Sequence, residues 1–481
     1  MERIQAFLVI DIGTGNVRAA VVSTGSELLA LARENVHYVK DDDYPDSIYF
    51  DPTALWEQIN QLVKTVLAKA GDAEILAITA TSQREGIVVL DGVGKPLIGM
   101  SNHDNRGREW ESLITDKDHL YTLTGRYPTA LFSALKLVGL RERKPQLWNR
   151  VVSFTSISDW VQFQFSGVLG YEHSQASETL LYDVNAKGWS EKLCGAFSLP
   201  FSLLPPLKPA GTVLGNILPH VAAELAIAPQ AVVVVGGADT QLAIHSLQPD
   251  TDDIVVVSGT TTPIIKVVDS YVIDNQQRTW TGRYIDESSF MLEANAGVTG
   301  LNYQRLKAIF YPNEPYEVIE KELDEASYSQ CVASLGSLVA DEDKPLTKGG
   351  FIFNAPVSHQ LTRGGFVFAI LWDIACSIYE NYNVLCSMSA HEKDYIWACG
   401  GGVQSRKLRQ FIANLTNKKI RIRDTYRQSS VLGGAFICAH ALGLKPADPQ
   451  LLEEVEPENR ELFLELYAEW KRARSAFRQI K

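Results

Sequence analysis

The chain is 481 residues long, and at roughly 150 residues per domain this length predicts about two to four domains with a substantial core. Its 46% hydrophobic and 21% charged residues are typical of globular proteins and exclude a disordered, collagen-like or coiled-coil chain. The formal net charge of −12 produces a field that repels nucleic-acid phosphates and anionic lipids, so neither is expected as a partner.

The cysteines and the beginning of the chain bear on location. The six cysteines show no CxxC spacing, which predicts reduced thiols and not a zinc or thioredoxin-type site. The first apolar strand reaches Asp11 without the basic segment and long apolar stretch of a signal peptide. No run of about 18 apolar residues follows. We therefore expect a cytoplasmic protein without a membrane partner.

The first half of the chain alternates strands and helices. Residues 6–22 are two apolar runs joined by a turn of small residues, which predicts a β-hairpin. Apolar residues at helical spacing predict a helix over Pro52–Lys69, and a strand follows at 74–82. The apolar run 231–235 precedes a glycine pair and a helix that begins at Asp239. This alternation predicts an α/β fold.

The second half begins by repeating the first. Residues 253–268 again consist of an apolar strand, a turn of small residues and a second apolar strand. Two similar domains, 1–247 and 248–481, are the simplest explanation. The boundary is predicted near His245–Asp253, where proline and acidic residues form a polar link.

The rest of the second half is less regular. A polar-rich, irregular stretch is predicted over Tyr271–Gly350, and a long helix over Phe366–Met388. A strand at 394–399 then runs into three glycines and a further helix. The charged, amphipathic tail Glu453–Lys481 predicts a surface helix.

The turns of the two predicted hairpins suit a polyphosphate. Small residues let backbone N–H groups approach a phosphate, and Asp11 beside the first turn can hold the hydrated cation that screens it. Arg18 adds a positive charge there. A plain turn is the alternative. Because Gly259 and Thr260 repeat this composition in the second half, a pair of hairpins gripping two ends of a polyphosphate is favoured.

Two further motifs stand at the carboxyl ends of predicted strands, where open α/β sheets bind ligands. Asp239 could accept a proton from a substrate hydroxyl as that hydroxyl attacks phosphorus, and helix N-capping is its alternative role. Gly400–Gly402 would let a ligand lie against the backbone, and close packing of helix and strand is the alternative.

Polar residues that suit a polyol follow the strand at 74–82. Gln83, Arg84 and Glu85 place an amide, a cation and an anion in succession, so Arg can donate and Glu can accept hydrogen bonds. A surface ion pair is the alternative. Two more polar clusters occur, within 102–106 and at Asp159.

In this order, the motifs resemble the FGGY carbohydrate kinases of the actin, hexokinase and seventy-kilodalton heat-shock ATPase superfamily. The resemblance covers most of the chain: the hairpin at Asp11, the loop at Gln83, the GGAD acid, the Gly259-Thr260 hairpin, the Gly400 triple and a late LGGA. It implies an α/β fold of two ribonuclease H-like domains with a central cleft. There, the γ-phosphoryl group of ATP would pass to a hydroxyl of a sugar or polyol.

The resemblance also implies roles for individual residues. Asp239 would be the general base, and Asp11 would hold Mg²⁺ through water. The nucleotide would contact the hairpins and the glycine-rich strand end, namely Gly13, Thr14, Gly15, Asn16, Arg18, Gly259, Thr260, Gly400, Gly401, Gly402 and Gln404. The sugar would contact Gln83, Arg84, Glu85, Asn102, Asp104, Asp159 and Gln241. A homodimer is plausible for such a kinase.

The choice of sugar rests on details of the same motifs. The QREGIV loop is similar to those of glycerol kinases and autoinducer-2 kinases. Asn102 and the ISDW segment at 157–160 resemble autoinducer-2 kinases, and Leu131 stands where glycerol kinase has tyrosine. The resemblance thus implies 4,5-dihydroxypentane-2,3-dione (autoinducer-2) or a related C5 compound as substrate. The alternatives are a pentulose or polyol kinase similar to xylulokinase or glycerol kinase. Because Gln428 replaces a family acid, a catalytically weak sugar-binding sensor is another.

Overall fold

The computed structural model describes residues 3–286, 288–326 and 331–480. The strands in this part of the chain are β1 Ile4–Ile12, β2 Asn16–Ser23, β3 Leu28–Asn35, β4 Val39–Lys40, β5 Ile48–Phe50, β6 Ala73–Ser82, β7 Ile87–Leu90, β8 Pro96–Met100, β9 Ser153–Ser156, β10 Tyr171–Glu172, β11 Tyr182–Asp183, β12 Gly188–Trp189, β13 Leu207–Lys208, β14 Val213–Asn216, β15 Val232–Ala238, β16 Ile254–Val257, β17 Pro263–Val268, β18 Trp280–Arg283, β19 Phe290–Asn295, β20 Val332–Ser334, β21 Gly350–Ile352, β22 Tyr395–Cys399, β23 Lys419–Arg423 and β24 Leu451–Val455.

The helices connect and cover these strands. They are α1 Pro52–Ala70, α2 Lys117–Thr124, α3 Ser133–Arg143, α4 Pro145–Trp148, α5 Ile157–Ser166, α6 His173–Ala176, α7 Glu191–Ala196, α8 Pro219–Leu225, α9 Asp239–His245, α10 Gly300–Phe310, α11 Tyr316–Glu325, α12 Arg363–Met388, α13 Arg406–Thr416, α14 Ser429–Ala441 and α15 Arg460–Arg478. None of the helices described is both long and apolar enough to span a bilayer.

Two large sheets share one strand order, once the first is read from β3 to β14 and the second from β19 to β24. Strand β18 is an additional edge strand of the second sheet. In the first, the order is β14-β15-β6-β1-β2-β3, with β1 and β2 antiparallel and β1, β6 and β15 parallel. In the second, the order is β18-β19-β17-β16-β22-β23-β24, and the hairpin β16–β17 again leads to the parallel strands β22 and β23. The repeat read in the sequence is therefore a repeated sheet topology. The division at residue 247 stays a prediction.

Helix α1 illustrates how the sequence determines a local element. The side chain of Asp51 accepts a hydrogen bond from the backbone N–H of Thr53 at 2.8 Å, and Pro52 occupies the first turn, where its missing N–H costs nothing. One face of the helix is apolar and packs against β2 and β3. Its buried residues include Leu55, Ile59, Leu62, Val63 and Val66. Each such side chain contributes about 1.5–3 kcal/mol when fully buried.

Two sequence predictions about the second half were wrong. The stretch Tyr271–Gly350 was expected to be irregular, but it contains β18, β19, α10, α11 and β20. The tail was expected to be helical from Glu453, but residues Leu451–Val455 form strand β24 paired with β23. Only then does α15 begin, and it buries Trp470, whose indole donates to Asp373 at 2.8 Å. The strands of both segments are held by pairing, of β19 with β17 and β18 and of β24 with β23.

Helix α14 comes late in the chain but packs on the first sheet, against α9, β1 and β6. The crossing is close because of glycines. A Cβ at Gly433 would lie 1.9 Å from the carbonyl oxygen of Leu242 in α9, and one at Gly434 would lie 2.8 Å from Val9. The LGGA motif therefore serves close helix packing.

Gly433→Ala is accordingly expected to destabilise the protein by about 1–3 kcal/mol, because two backbones must move apart. Thermal unfolding would measure the loss. The matched control is Gly195→Ala in α7, where an added Cβ meets nothing within 4 Å and the change should be neutral or slightly stabilising. Equal midpoints for the two variants would contradict the close crossing.

Candidate active site

A deep cleft lies where the carboxyl ends of strands from both large sheets meet. Its volume is about 1740 Å³, which exceeds the roughly 300–1,000 Å³ of a typical small-molecule pocket. Strands β1, β6 and β15 lead into it from the first sheet, and β16 and β22 lead into it from the second. The cleft therefore has room for two substrates side by side.

Most of the predicted site residues line this cleft. Those brought together there are Gly13, Thr14, Gly15, Asn16, Arg18, Gln83, Arg84, Glu85, Asn102, Asp239, Gly259, Thr260, Gly400, Gly401, Gly402 and Gln404. Four predicted residues are outside the described lining: Asp11, Asp104, Asp159 and Gln241.

Asp11 is in the first hairpin, near the end of β1 and paired with Arg18 of β2. Its Oδ2 accepts hydrogen bonds from Arg18 and, at 2.6 Å, from the hydroxyl of Ser430 in α14. Arg18 also donates to the amide oxygen of Gln428 at 3.3 Å. The Oδ1 of Asp11 is buried and has no hydrogen-bond partner in the described part of the chain. A buried, unpaired carboxylate oxygen fits a hydrated cation.

A ring of hydrogen bonds joins the first hairpin to the predicted sugar loops. Asn102 donates to the Thr14 hydroxyl at 2.9 Å, and the backbone N–H of Asn102 donates to the Gln83 side chain at 3.0 Å. Gln83 in turn donates to the Tyr38 hydroxyl at 3.1 Å, and Tyr38 donates to the carbonyl of Thr14 at 2.8 Å. Both ends of the Gln83 amide are thus used to hold the loops in register.

The three glycines after β22 divide their roles. A Cβ at Gly400 would lie 2.5 Å from the carbonyl oxygen of Ser258, and one at Gly402 would lie 2.0 Å from the Ser258 hydroxyl. Gly400 also has a φ of +91°, which disfavours other residues. At Gly401, the nearest atom belongs to Gln404 at 3.9 Å. Two glycines therefore serve close packing against the second hairpin, and Gly401 faces open space.

The second hairpin is braced in a similar way. The N–H of Gly259 donates to the carbonyl of Thr261 at 2.9 Å, and the N–H of Leu301 donates to the carbonyl of Thr260 at 3.2 Å. The turn is thereby fixed against the start of α10, with Gly259 and Thr260 exposed to the cleft.

Asp239 begins α9 and lines the cleft. One carboxylate oxygen accepts a hydrogen bond from the N–H of Thr240 at 2.7 Å. Burial raises the pKa of Asp239 to about 6, and the charge of Asp11 adds to this increase while Arg84 opposes it. A carboxylate with a pKa close to neutral pH suits a general base.

Arg84 belongs to a buried network of four charges. Its two terminal nitrogens donate to the two carboxylate oxygens of Glu293 at 2.5 and 3.0 Å. Glu178 lies 3.7 Å from the same guanidinium and accepts two hydrogen bonds from Arg126, at 2.9 and 2.7 Å. Because Glu293 is in β19, the network ties the loop after β6 to the second sheet.

Glu85 is held in an unusual conformation beside it. Its φ is +63°, in the left-handed region that costs a residue other than glycine about 1–3 kcal/mol and is often found at functional sites. Its carbonyl accepts a hydrogen bond from Ser133 at 3.3 Å. Burial raises the pKa of Glu85 to about 8, despite the nearby Arg84. At neutral pH this carboxyl group is therefore mostly protonated and can donate a hydrogen bond.

The carboxylates of Asp104 and Asp159 are hydrogen-bonded to residues outside the cleft lining. The carboxylate of Asp104 accepts two hydrogen bonds from the guanidinium of Arg106, at 2.8 and 2.7 Å, and one from the backbone N–H of Arg106 at 3.1 Å. The carbonyl of Asp104 accepts one from buried Lys136 at 2.8 Å. Asp159 is in the first turn of α5, where its carboxylate accepts hydrogen bonds from the N-cap Ser156 at 2.6 Å and from the N–H of Glu172 at 3.1 Å. Both carboxylates thus organise loops behind the cleft.

Gln241 is also buried, in the first turn of α9. Neither atom of its side-chain amide has a hydrogen-bond partner among the described residues. The structure does not bring this side chain to the cleft lining.

Asp159→Asn is expected to change the Michaelis constant for the sugar by less than about twofold, because the side chain is hydrogen-bonded to Ser156 and Glu172 outside the cleft lining. Burial raises the pKa of Asp159 to about 7, against roughly 4 for an unfolded chain. The folded state then binds more protons between these values, so wild-type stability falls as pH rises through this window. The Asp159→Asn variant should lose less stability over the same rise in pH, because asparagine does not titrate. A large rise in the Michaelis constant would instead place Asp159 at the sugar.

Two residues that line the cleft, Glu293 and Trp280, are not among those that the sequence motifs predicted. Trp280 packs edge-to-face on Phe132, with ring centroids 5.6 Å apart. The guanidinium carbon of Arg126 lies over the Trp280 ring, 5.2 Å from its centroid. A usable signal was present at Glu293, since an acid flanked by apolar residues in FMLEAN is costly to bury without a partner. The prediction of an irregular stretch over Tyr271–Gly350 hides this signal, because it assigns no strand to FMLEAN.

Comparison with known proteins agrees with this geometry. Models of the FGGY family of carbohydrate kinases match the N-terminal domain at residues 6–245 and the C-terminal domain at 338–442. YoaC of Bacillus subtilis, named as a candidate sugar kinase, is 48% identical over 99% of this chain and 98% of its own. The autoinducer-2 kinase of Salmonella typhimurium is 24% identical over 94% of this chain and 89% of its own.

Solved structures show the same fold. The ligand-bound xylulose kinase from Lactobacillus acidophilus superimposes with a TM-score of 0.86 at 18% identity, covering 99% of both chains. The expectation of two ribonuclease H-like domains with a central cleft is confirmed.

The two family models, together with the fold and the cleft, thus define a carbohydrate kinase. The chain belongs to the FGGY family of carbohydrate kinases, as the resemblance in the sequence implied. It is an ATP-dependent kinase whose acceptor is a small sugar or related compound.

Proposed function

We propose that this kinase phosphorylates 4,5-dihydroxypentane-2,3-dione or a related C5 compound, with Asp239 as the general base. The observation that carries the role of Asp239 is its place at the carboxyl end of β15, facing the cleft, next to strand β6 and the loop of Arg84 that follows it. The charges of both Asp11 and Arg84 act on its pKa, so all three groups share one small region.

The chemical step needs one proton acceptor. A hydroxyl oxygen of the sugar attacks the γ-phosphorus of ATP, the bond from that phosphorus to the bridging oxygen breaks, and ADP leaves. Asp239 takes the hydroxyl proton and later releases it to water. Since phosphoryl transfer depends mainly on positioning and charge stabilisation, no covalent intermediate with the protein is required.

Positive charge at the phosphates would come from Arg18 and from Mg²⁺. The free Oδ1 of Asp11 fits a hydrated cation. Bound there, Mg²⁺ would screen the negative charge of the phosphates. In the described ranges, no three His, Cys, Asp or Glu side chains cluster closely enough to hold a metal alone. Water and the phosphates would supply the remaining ligands.

The sugar side of the cleft supports a short, highly oxygenated acceptor. Protonated Glu85 can donate to a carbonyl or hydroxyl, and the remaining N–H groups of Arg84 can do the same. The Oδ1 of Asn102 is buried without a partner among the described residues and can accept from a hydroxyl. Leu131 gives one apolar wall. These features, and the similarity to an autoinducer-2 kinase, favour the dihydroxydione.

The test is ADP release with Mg²⁺-ATP against dihydroxypentanedione, xylulose, ribulose, glycerol and erythritol, with a blank lacking acceptor. The dihydroxydione giving the highest kcat/KM would support the proposal. Higher turnover with xylulose, ribulose or glycerol would instead identify a pentulose or polyol kinase.

A catalytically weak sensor is the second candidate. The observation that favours it is Gln428, a neutral side chain 3.3 Å from Arg18 where relatives carry an acid by the sequence resemblance. This second candidate would be supported if calorimetry detects binding of a sugar and none of the tested acceptors gives ADP release.

A further inference from the structure

Glu293 occupies the part of Arg84 that would recognise a carboxylate. The two terminal nitrogens of the guanidinium bind the two oxygens of Glu293 side by side, at 2.5 and 3.0 Å. This two-point geometry is the strongest arrangement that Arg can form with an anion. The pair is nearly inaccessible to bulk water, with 9% of Arg84 and 2% of Glu293 exposed, and yet both residues line the cleft.

The pair is also fixed from behind. Asn295 donates to Glu293 at 3.1 Å, and β19 holds Glu293 between β17 and β18. Glu178 is occupied by Arg126 and only approaches Arg84 at 3.7 Å. A carboxylate arriving from solution would have to displace Glu293 from Arg84, the one cation with which Glu293 forms an ion pair among the described residues.

The charges of the network cancel. Arg84 and Arg126 supply two positive charges, and Glu178 and Glu293 supply two negative ones. Glu85 adds little charge at neutral pH, and Asp239 adds a negative charge when it acts as base. An anionic sugar would therefore bring an uncompensated charge into a buried region, which is costly. A neutral polyol would not.

We propose that Glu293 determines the charge class of the acceptor: by filling the two-point site of Arg84, it restricts this kinase to uncharged sugars and polyols and excludes sugar acids. This inference rests on the proposed function in that Arg84 contacts the acceptor. Glu293 itself acts on specificity through Arg84.

Glu293→Gln is the decisive change. The amide has nearly the same shape, keeps one oxygen for Arg84 and turns an N–H₂ group toward the guanidinium. One nitrogen of Arg84 is then free, and the network gains one net positive charge. A sugar acid can now pair with Arg84 and restore neutrality.

The experiment compares the affinities of wild type and Glu293→Gln for xylonate, a C5 sugar acid, and for xylulose, a neutral C5 ketose, by isothermal titration calorimetry. We expect the variant to bind xylonate at least about tenfold more tightly than wild type, with xylulose affinity unchanged or weakened. The control is Glu317→Gln, which removes a negative charge at an exposed position on the cleft rim and should leave xylonate affinity as in wild type.

Three outcomes would overturn the inference: wild type binding xylonate as tightly as xylulose, no gain in the variant, or an equal gain in Glu317→Gln. Should Glu293→Gln fail to fold, Glu293→Asp takes its place. The aspartate side chain is one methylene shorter, so its carboxylate stays farther from the guanidinium and weakens the two-point pair. Because the negative charge remains, a smaller gain for xylonate is expected.

The inference and the proposed function fail in different ways. The calorimetric comparison needs no turnover, so it tests the role of Glu293 in acceptor binding even if none of the tested acceptors is phosphorylated. Turnover of neutral acceptors without any gain for xylonate in the Glu293 variants would leave the kinase proposal standing and remove the role of Glu293.

Discussion

Asp239→Asn is expected to lower kcat by about 10²–10⁴ while changing the affinity for the sugar little, because the substitution removes a proton acceptor and keeps the shape. The asparagine oxygen can still accept the 2.7 Å hydrogen bond from the N–H of Thr240, so the start of α9 should stay in place. Initial rates of ADP release over a range of sugar concentrations measure both parameters.

The pH profile and a matched variant complete this experiment. For wild type, kcat/KM should rise with pH through about 6, because Asp239 must be ionised to act as base. Asp159→Asn makes the same chemical change at a carboxylate bonded behind the cleft and should keep both the rate and the profile. A decrease in kcat of only two- or threefold in Asp239→Asn would show that another group takes the proton.

Arg84→Ala is expected to raise the Michaelis constant for the sugar strongly and to reduce the free energy of unfolding by about 3–5 kcal/mol. The loss of stability arises because Glu293 and Glu178 would stay buried with one cation, Arg126, between them. Steady-state kinetics and chemical denaturation measure the two effects separately.

A double variant distinguishes the causes. Arg84→Met combined with Glu293→Gln removes both members of the pair, leaves no unpaired charge, and should regain much of the lost stability without regaining sugar affinity. Lys445→Ala is the control, because its pair with Asp448 is exposed to solvent and should be worth about 0–1 kcal/mol. Sugar affinity unchanged in Arg84→Ala would refute the assignment of this loop to the acceptor.

Much of the active site follows from short-range sequence patterns. The hairpins at Asp11 and Gly259, the strand before Gly400 and the helix that begins at Asp239 were all predictable, because each combines an apolar run with small or polar residues at its carboxyl end. Since the carboxyl ends of parallel strands lie at one edge of a sheet, these residues were bound to be neighbours within each domain.

The sequence by itself determined the family, the repeated α/β topology and most residues that line the cleft, because these depend on local periodicity and on motifs in a fixed order. Only the tertiary structure decided that Glu293 binds Arg84, that Ser430 reaches Asp11, and that Asp159 accepts a hydrogen bond from the N–H of Glu172. The first two pairs join residues 209 and 419 positions apart. Such contacts depend on how two sheets and a late helix meet, which no local pattern encodes.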